Sequence, residues 1–359
     1  MIYFKTIALT EDHVVFKSLL EIQDFYARRF FKMTTVDGSE FEADLLRRQR
    51  EIVDRKTLKP YTKRQDLPGL LYFFGLLGFI IASGFVVYFA LDAGWWIWPA
   101  MLLHGIMLSH LFAPLHETSH GTAFRTRWIN EAVLWFCGIV TIWPPLYFRY
   151  DHAGHHTYAQ MPGKDPELVL PAPRSLIEYI YYVSAAHLWI KNFGWLFRHA
   201  MGYMHPFNRQ FVPEQELPRI YFEARLMLTI YAALLVGSIY FQSWTVVMFW
   251  LIPTVIGVPV ARMLRVADHT GCAEESNLVT YARSVTTDRL TRFFCWNMSY
   301  HCEHHLAPSV PFHKLKGLYE EVGHKMNPVD KGYIAIQWEV ITKHLSGFFP
   351  QRRSNPSEK

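Results

Sequence analysis

From Gly69 to Phe124 the chain carries no lysine or arginine, and the only acids in that run are Asp92 and Glu117. About 20 apolar residues cross roughly 30 Å of hydrocarbon as a helix, so a run of this length can cross twice. Asp92 lies in an LDAGWW break that divides the run into crossings over about 70–91 and 95–115. A second uncharged stretch, Leu226 to Ala261, breaks near Gln242 and Ser243. It predicts crossings over about 226–241 and 244–261, short enough to require a thin or tilted passage. The expected fold class is therefore all-α: an integral membrane protein with four transmembrane helices in two hairpins.

Of the 359 residues 51% are hydrophobic and 19% are charged, so apolar and polar material must be segregated along the chain. That is the profile of a membrane protein with substantial extramembrane mass. The net charge of +5 gathers beside the apolar segments, which suits anionic lipid headgroups and argues against a nucleic-acid partner. The first thirty residues include Lys5, Glu11, Asp12 and Lys17 and lack a continuous apolar core, so insertion is expected to rely on internal segments. Cys137, Cys272, Cys295 and Cys302 show no CxxC spacing and read as unpaired thiols on a reducing side.

Basic residues flank the crossings on one side only. Lys56, Lys59, Lys63 and Arg64 precede the first, Arg125 and Arg127 follow the second, Arg225 precedes the third, and Arg262 and Arg265 end the fourth. The positive-inside rule then puts both termini and the long middle segment in the cytoplasm, with a bacterial inner membrane favoured. Three regions follow: an N-terminal cytoplasmic or interfacial helical region over 1–67, a membrane domain over 68–350, and a disordered tail over 351–359. In the first, Val15, Leu19, Leu20, Ile22, Phe25 and Tyr26 recur in a helical pattern before Arg28 and Arg29. Within the middle segment, Trp128 to Tyr147 holds a Trp-Pro-Pro at 143–145 and Ser175 to Ile190 is aromatic-rich; both read as interfacial or re-entrant helices.

Three histidine clusters lie on the shared side: His116 and His120 in HETSH, His152, His155 and His156 in HAGHH, and His301, His304 and His305 in HCEHH. Imidazole is the commonest protein ligand for transition metals. On a helix, residues i and i+4 share a face, whereas adjacent residues diverge by about 100° and can address different ions. Three clusters so built suit a dinuclear site. An isolated histidine such as His187, His199 or His205 reads instead as an interface anchor or a buried polar group. His104 and His110 are weaker candidates and His313 is not expected to ligate.

HETSH, HAGHH and HCEHH resemble the three histidine boxes of the membrane fatty acid desaturase and hydroxylase superfamily. NMSYHCEHHLAPSVPFHKL from Asn297 and HHTYAQMPGKDPEL after the second box are similar to bacterial members. The likeness covers Leu70 to about Leu318. It implies a cytoplasmic helical cap holding a non-haem di-iron centre, with O2 as co-substrate. It also implies one further histidine between the last crossing and the third box, matched by His269, so the implied ligand set is His116, His120, His152, His155, His156, His269, His301, His304 and His305. Glu117, Asp151, Asp268 and Glu303, beside or inside these motifs, are candidates to orient the ligands, because a ligating imidazole donates its other N–H to an acceptor. Asp165 matches a recurrent position without a role the residues themselves supply.

The expected reaction is desaturation of a fatty acyl chain. Same-family hydroxylation and terminal-alkene-forming decarboxylation remain open, since the boxes do not report which carbon meets the oxidant. Trp135, Trp143, Tyr147, Phe148, Tyr181 and Tyr182 are candidates to line a substrate tunnel, although core packing explains them as well. Arg125, Arg127, Arg149, Lys191 and Arg198 are candidates to hold a carboxylate or phosphate headgroup, and snorkelling to the interface explains them equally. No haem or Cys-rich iron–sulfur motif occurs, so electrons are expected from a separate ferredoxin- or cytochrome-type donor with its reductase. The rival from another class is a membrane metal transporter or sensor, whose ligands belong near the bilayer midplane rather than at the ends of crossings.

Overall fold

The computed structural model describes residues 38–168, 173, 175–270, 272, 280–326 and 332–345. The helical pattern from Val15 to Tyr26 and the tail after Gln351 lie outside the described residues, which contain helices and turns and no strand. After α1 (Gly38–Ile52) comes α2 (Asp66–Ala90), then a second crossing made of α3 (Ile97–Ser109) and α4 (Phe112–Ser119). The middle segment holds α5 (Arg127–Thr141), α6 (Pro145–Tyr158), α7 (Leu176–Val183) and α8 (Ala186–Ala200). α9 (Leu217–Tyr240) and α10 (Ile252–His269) complete the second hairpin. Then follow α11 (Arg289–Phe294), α12 (His301–Leu306), α13 (Leu315–Val322) and α14 (Tyr333–Leu345).

Four helical stretches are long and apolar enough to span a membrane: Asp66–Ala90, Gly94–Ser119, Glu214–Tyr240 and Val247–His269. The third begins before the expected 226 and the fourth runs beyond the expected 261. Hydropathy marks only the apolar centre of a span, whereas the helix continues into polar sequence such as Arg219, Glu223 and Arg265. Phe89, Trp95, Tyr240 and Phe241 are exposed on these spans, which lipid tolerates and water does not.

The second crossing is central, with α3 packed against both α2 and α10. Lipid tails are as apolar as leucine, so association here relies on close packing and interhelical hydrogen bonds. Gly105 of α3 and Gly257 of α10 supply the first: a Cβ built on Gly257 would stand 2.0 Å from the Gly105 carbonyl carbon. His104 supplies the second. Its Nε2–H donates to the Phe249 carbonyl at 3.0 Å and its Nδ1 accepts from the Ser83 hydroxyl at 2.8 Å, joining three crossings.

α5 and α6 meet at a bend of 95°. Ile142 takes a left-handed conformation, the Trp143 N–H donates back to the Gly138 carbonyl at 2.8 Å, and Pro144–Pro145 starts α6 in a new direction. Together Arg127–Thr141 and Pro145–Tyr158 are apolar enough for one broken span or a re-entrant loop. The N-terminus of α6 is secured from a distant element: the buried Glu223 carboxylate of α9 accepts from the Leu146 N–H and, at 3.1 Å, from the Tyr147 N–H. A carboxylate there satisfies two amides that helix geometry leaves without partners and complements the positive helix end.

Candidate metal centre

Four elements deliver the histidines. The end of α4 brings His116 and His120, α6 brings His152, His155 and His156, α10 terminates in His269, and α12 carries His301, His304 and His305. The nine rings sort into two adjoining sets. In one, ligand atoms of His116, His120, His152, His156 and His304 all lie within 4.8 Å of one another; in the other, those of His155, His269 and His305 do. His301 joins the second set, its Nε2 standing 2.9 Å from His269 Nε2 and 3.0 Å from His305 Nε2. The sets touch where the His156 and His305 rings approach to 4.3 Å between centroids. Neighbours in sequence part as helix geometry requires: His155 and His156 go to different sets, and so do His304 and His305.

Hydrogen bonds at the far side of the rings fix the tautomers of several members. His152 Nδ1–H donates to Glu167 at 2.6 Å, and His155 Nδ1–H donates to both Asp165 oxygens at 3.0 Å. His269 Nδ1 faces the Tyr281 carbonyl at 2.9 Å, and a carbonyl only accepts, so the proton sits on Nδ1. In each of these rings Nε2 is the basic nitrogen, turned toward the other histidines. Burial pushes the pKa values of His156, His301, His304 and His305 well below the imidazole range. His155 is the exception: burial opposes its charge, but Asp165 and Glu167 outweigh that and raise it to about 9.

This donor set fits metal cations. His152 and His156 Nε2 lie 3.1 Å apart, as do His156 and His304 Nε2, and the buried Nε2 of His120 has no hydrogen-bond partner. Unprotonated nitrogens held this close repel one another unless a cation lies among them. Two adjoining nitrogen-rich sets suit two transition ions better than one.

The orienting carboxylates differ from expectation. Glu117 does face the site, its Oε1 3.5 Å from His304 Nδ1 and 3.7 Å from His116 Nδ1, while its Oε2 accepts from the Phe312 N–H at 3.2 Å. Asp151 instead accepts the Tyr147 hydroxyl at 2.9 Å, Glu303 accepts the Ser284 hydroxyl at 2.5 Å, and Asp268 makes no hydrogen bond to a ring among the described residues. Being next to a histidine in a helix points a side chain about 100° away from it, so an adjacent acid reaches a ring only where another element brings that ring round, as His304 of α12 comes to Glu117. Asp165 and Glu167, in the loop after α6, are the acids that hydrogen-bond rings of the two sets among the described residues. Asp165 also accepts from the backbone N–H groups of Gln160 and Glu167, at 2.9 and 2.8 Å, which folds the loop over the second box. The signal was available as the DPE run a few residues past HAGHH.

The scattered histidines stay apart. His104 bonds between crossings, His110 stacks on Phe294, His187 lies beside Tyr182, His199 packs on Tyr147, and His313 sits against Phe312. Among the tunnel candidates, Trp143 and Tyr182 line a cavity that reaches His116, His152 and His155. Phe148 stacks on His152, and Tyr181 is exposed. Of the five candidate cations Lys191 lines the same cavity, whereas Arg125 and Arg127 are exposed and Arg149 pairs with Glu131.

The sequence pattern that describes the fatty acid desaturase family matches residues 93–337, which include every histidine of the two sets. The chain belongs to the fatty acid desaturase family. It is similar to the Delta(5) fatty acid desaturase fat-4 of Caenorhabditis elegans, at 25% identity over 246 residues, covering 60% of this chain and 55% of that protein. It is likewise similar to dihydrorhizobitoxine desaturase of Bradyrhizobium elkanii, at 26% identity over 269 residues, covering 69% and 73%. A fatty acid desaturase of Bacillus subtilis matches at 23% identity, covering 73% of this chain and 77% of that protein. This member of the desaturase family is a membrane protein whose family supports fatty acid desaturation or a related oxidation.

Proposed function

We propose that this protein is an O2-dependent non-haem di-iron oxidoreductase that desaturates a fatty acyl chain. The observation that carries the reading is the division of nine histidines into two touching sets, several with Nδ1 tied to an acceptor and Nε2 turned inward. His116, His120, His152, His156 and His304 would hold one iron, and His155, His269, His301 and His305 the other. Two bound irons supply the activation of O2 and the removal of hydrogen from an unactivated methylene. The balance is one CH2–CH2 unit, O2, two electrons and two protons giving one CH=CH unit and two waters, so an external electron donor is required. A ferredoxin- or cytochrome-type protein with its reductase fits that need.

The chain's own groups position and shield. Asp165, Glu167 and the Tyr281 carbonyl hold protons on Nδ1 of His155, His152 and His269, keeping each Nε2 basic and each ring aimed. Phe148, stacked on His152, and Phe112, beside His116, close the apolar side of the first set against water. Positive-inside flanks favour the cytoplasmic side for this centre and both termini.

The test is metal analysis of the purified protein together with product analysis after membranes are fed deuterated fatty acids under O2. About two irons per chain and an alkene of unchanged chain length are expected. Alcohols alone would reassign the protein to hydroxylation, and alkenes one carbon shorter to decarboxylation. Stoichiometric zinc without oxygen consumption would support the transporter or sensor instead. His304→Ala, which removes a ligand from the first set, should insert normally and lose turnover.

A further inference from the structure

The cavity touching His116, His152 and His155 has a volume of about 140 Å³, roughly ten times what a single water needs, and three cations share its wall: Lys191, Arg262 and Arg265. Lys191 of α8 is 8% exposed, with its ammonium 4.2 Å from the Trp195 ring centre and 5.5 Å from that of Trp143. Arg262, also 8% exposed, lies over the Tyr182 ring and its Nε has no hydrogen-bond partner. Neither has an ion-pair partner among the described residues. Arg265 sits 3.6 Å over the Phe112 ring, and among the described residues its carboxylate contact is Glu167 at 4.0 Å.

Asp165, Glu167 and Asp268 share the same wall, and most of the acids nearby are engaged by other groups. Glu167 holds His152, Asp165 holds His155, and Asp151 accepts from Tyr147 while attracting Lys191 only through space. Asp268, whose buried Oδ1 has no hydrogen-bond partner, attracts Arg265 in the same way. Burying a charge without a close counter-ion costs several kcal/mol in general, so Lys191 and Arg262, both unpaired on one cavity wall with Arg265 beside them, describe a site completed by an anion.

We propose that Lys191, Arg262 and Arg265 seat the free carboxylate of an acyl chain, placing oxidation within the first few carbons of the acid. This rests on the reading of the histidine centre as an acyl-chain oxidase and adds which form of the acyl chain it takes. The contacts from Arg265 to Glu167 and from Glu167 to His152, with the width of a carboxylate between them, hold the guanidinium within about 9 Å of the His152 ring. An arginine–carboxylate bond takes about 2.8 Å of that span and leaves at most roughly 6 Å, the reach of four or five carbon–carbon bonds. An anion this close must be the end of the chain itself. A thioester or lipid ester has a neutral carbonyl at that end, and its nearest phosphate is too many atoms away for any acyl carbon to reach the histidines from it.

The experiment is competition binding on the purified full chain in micelles, with tritiated dodecanoic acid displaced by dodecanoic acid, methyl dodecanoate or dodecanoyl-CoA. The acid is expected to compete at least tenfold better than the ester, and Lys191→Met to erase that preference while Lys191→Arg restores it. Arg262→Met is the second variant should Lys191→Met not fold, with the same expectation. Equal competition by acid and ester, undiminished preference in both Met variants, or a CoA thioester as good as the acid would overturn the seat. Because the readout is binding, the two readings fail separately. Selective binding without any oxidised product would sink the oxidase and leave the seat, whereas products formed only from esters would do the reverse.

Discussion

The contact between Gly105 and Gly257 makes a sharp test of how the crossings position the histidines. In Gly257→Ala the new Cβ would meet the Gly105 carbonyl carbon at 2.0 Å and the Ile106 nitrogen at 2.4 Å, where ordinary contact begins at 3.4 Å. Both obstacles are backbone, so no side chain can turn aside and the helices must part by about 1.4 Å. Overpacking of this kind costs about 1–3 kcal/mol, and a rigid obstacle puts this site at the upper end. The displacement also travels. α3 leads into α4 with His116 and His120, and α10 ends in His269, so one methyl group moves ligands in both sets against metal–ligand distances that tolerate only about 0.2 Å. Thermal unfolding and metal content should be measured beside Gly237→Ala, where the added Cβ meets nothing within 4 Å. Gly257→Ala should unfold about 4 °C or more lower and retain clearly less metal, while the control matches the native protein. Native stability and full metal content in Gly257→Ala would refute the argument that this crossing sets the ligand geometry.

Other substitutions probe the supports of the centre. Glu223→Ala should leave two buried amides of α6 without acceptors, at about 1–3 kcal/mol each, and lower both stability and metal content; Glu223→Gln, which keeps one acceptor oxygen, should fall between, as thermal unfolding would show. Asp165→Ala and Glu167→Ala should each weaken metal affinity about 10–100-fold by freeing His155 or His152, measured by competition with a chelator, whereas Asp151→Asn should change affinity far less. In metal-stripped protein, His156, His301, His304 and His305 have pKa values lowered by burial from the ordinary 6.5. Unfolding lets them take up protons below that value, so the stability of the stripped protein should rise with pH up to about 6.5, and a flat profile from pH 5 to 7 would contradict their burial.

The crossings were legible because a run from Gly69 to Phe124 without basic charge has one economical fate in a cell, and hydropathy reports that directly. Their ends were not, since Arg219 and Glu223 belong to the same helix as the apolar centre yet read as a boundary. The histidine sets were legible for a related reason: spacing within a helix fixes which neighbours share a face, as His152 with His156 and His301 with His305. The supporting acids were harder. Proximity along the chain drew attention to Asp151, Asp268 and Glu303, whereas Asp165 and Glu167 reach the rings through a folded loop that periodicity does not describe. Glu223 was invisible as a support because its partners, Leu146 and Tyr147, lie far away in sequence.

The second crossing carries a consequence for the substrate. Its 26 residues from Gly94 to Ser119 measure about 39 Å along the axis, against roughly 30 Å of hydrocarbon, and His116 and His120 stand at its far end. A crossing longer than the layer it spans carries the proposed site of oxidation toward the edge of the oily layer in which an acyl chain dissolves. Each methylene drawn out of that layer gives up about 0.8 kcal/mol if it meets water, so extraction proceeds only as far as protein surface replaces lipid. Phe112, Trp143 and Tyr182 on the cavity wall act as a solvent in that sense, and the depth of apolar wall becomes a ruler for how much chain the protein can lift.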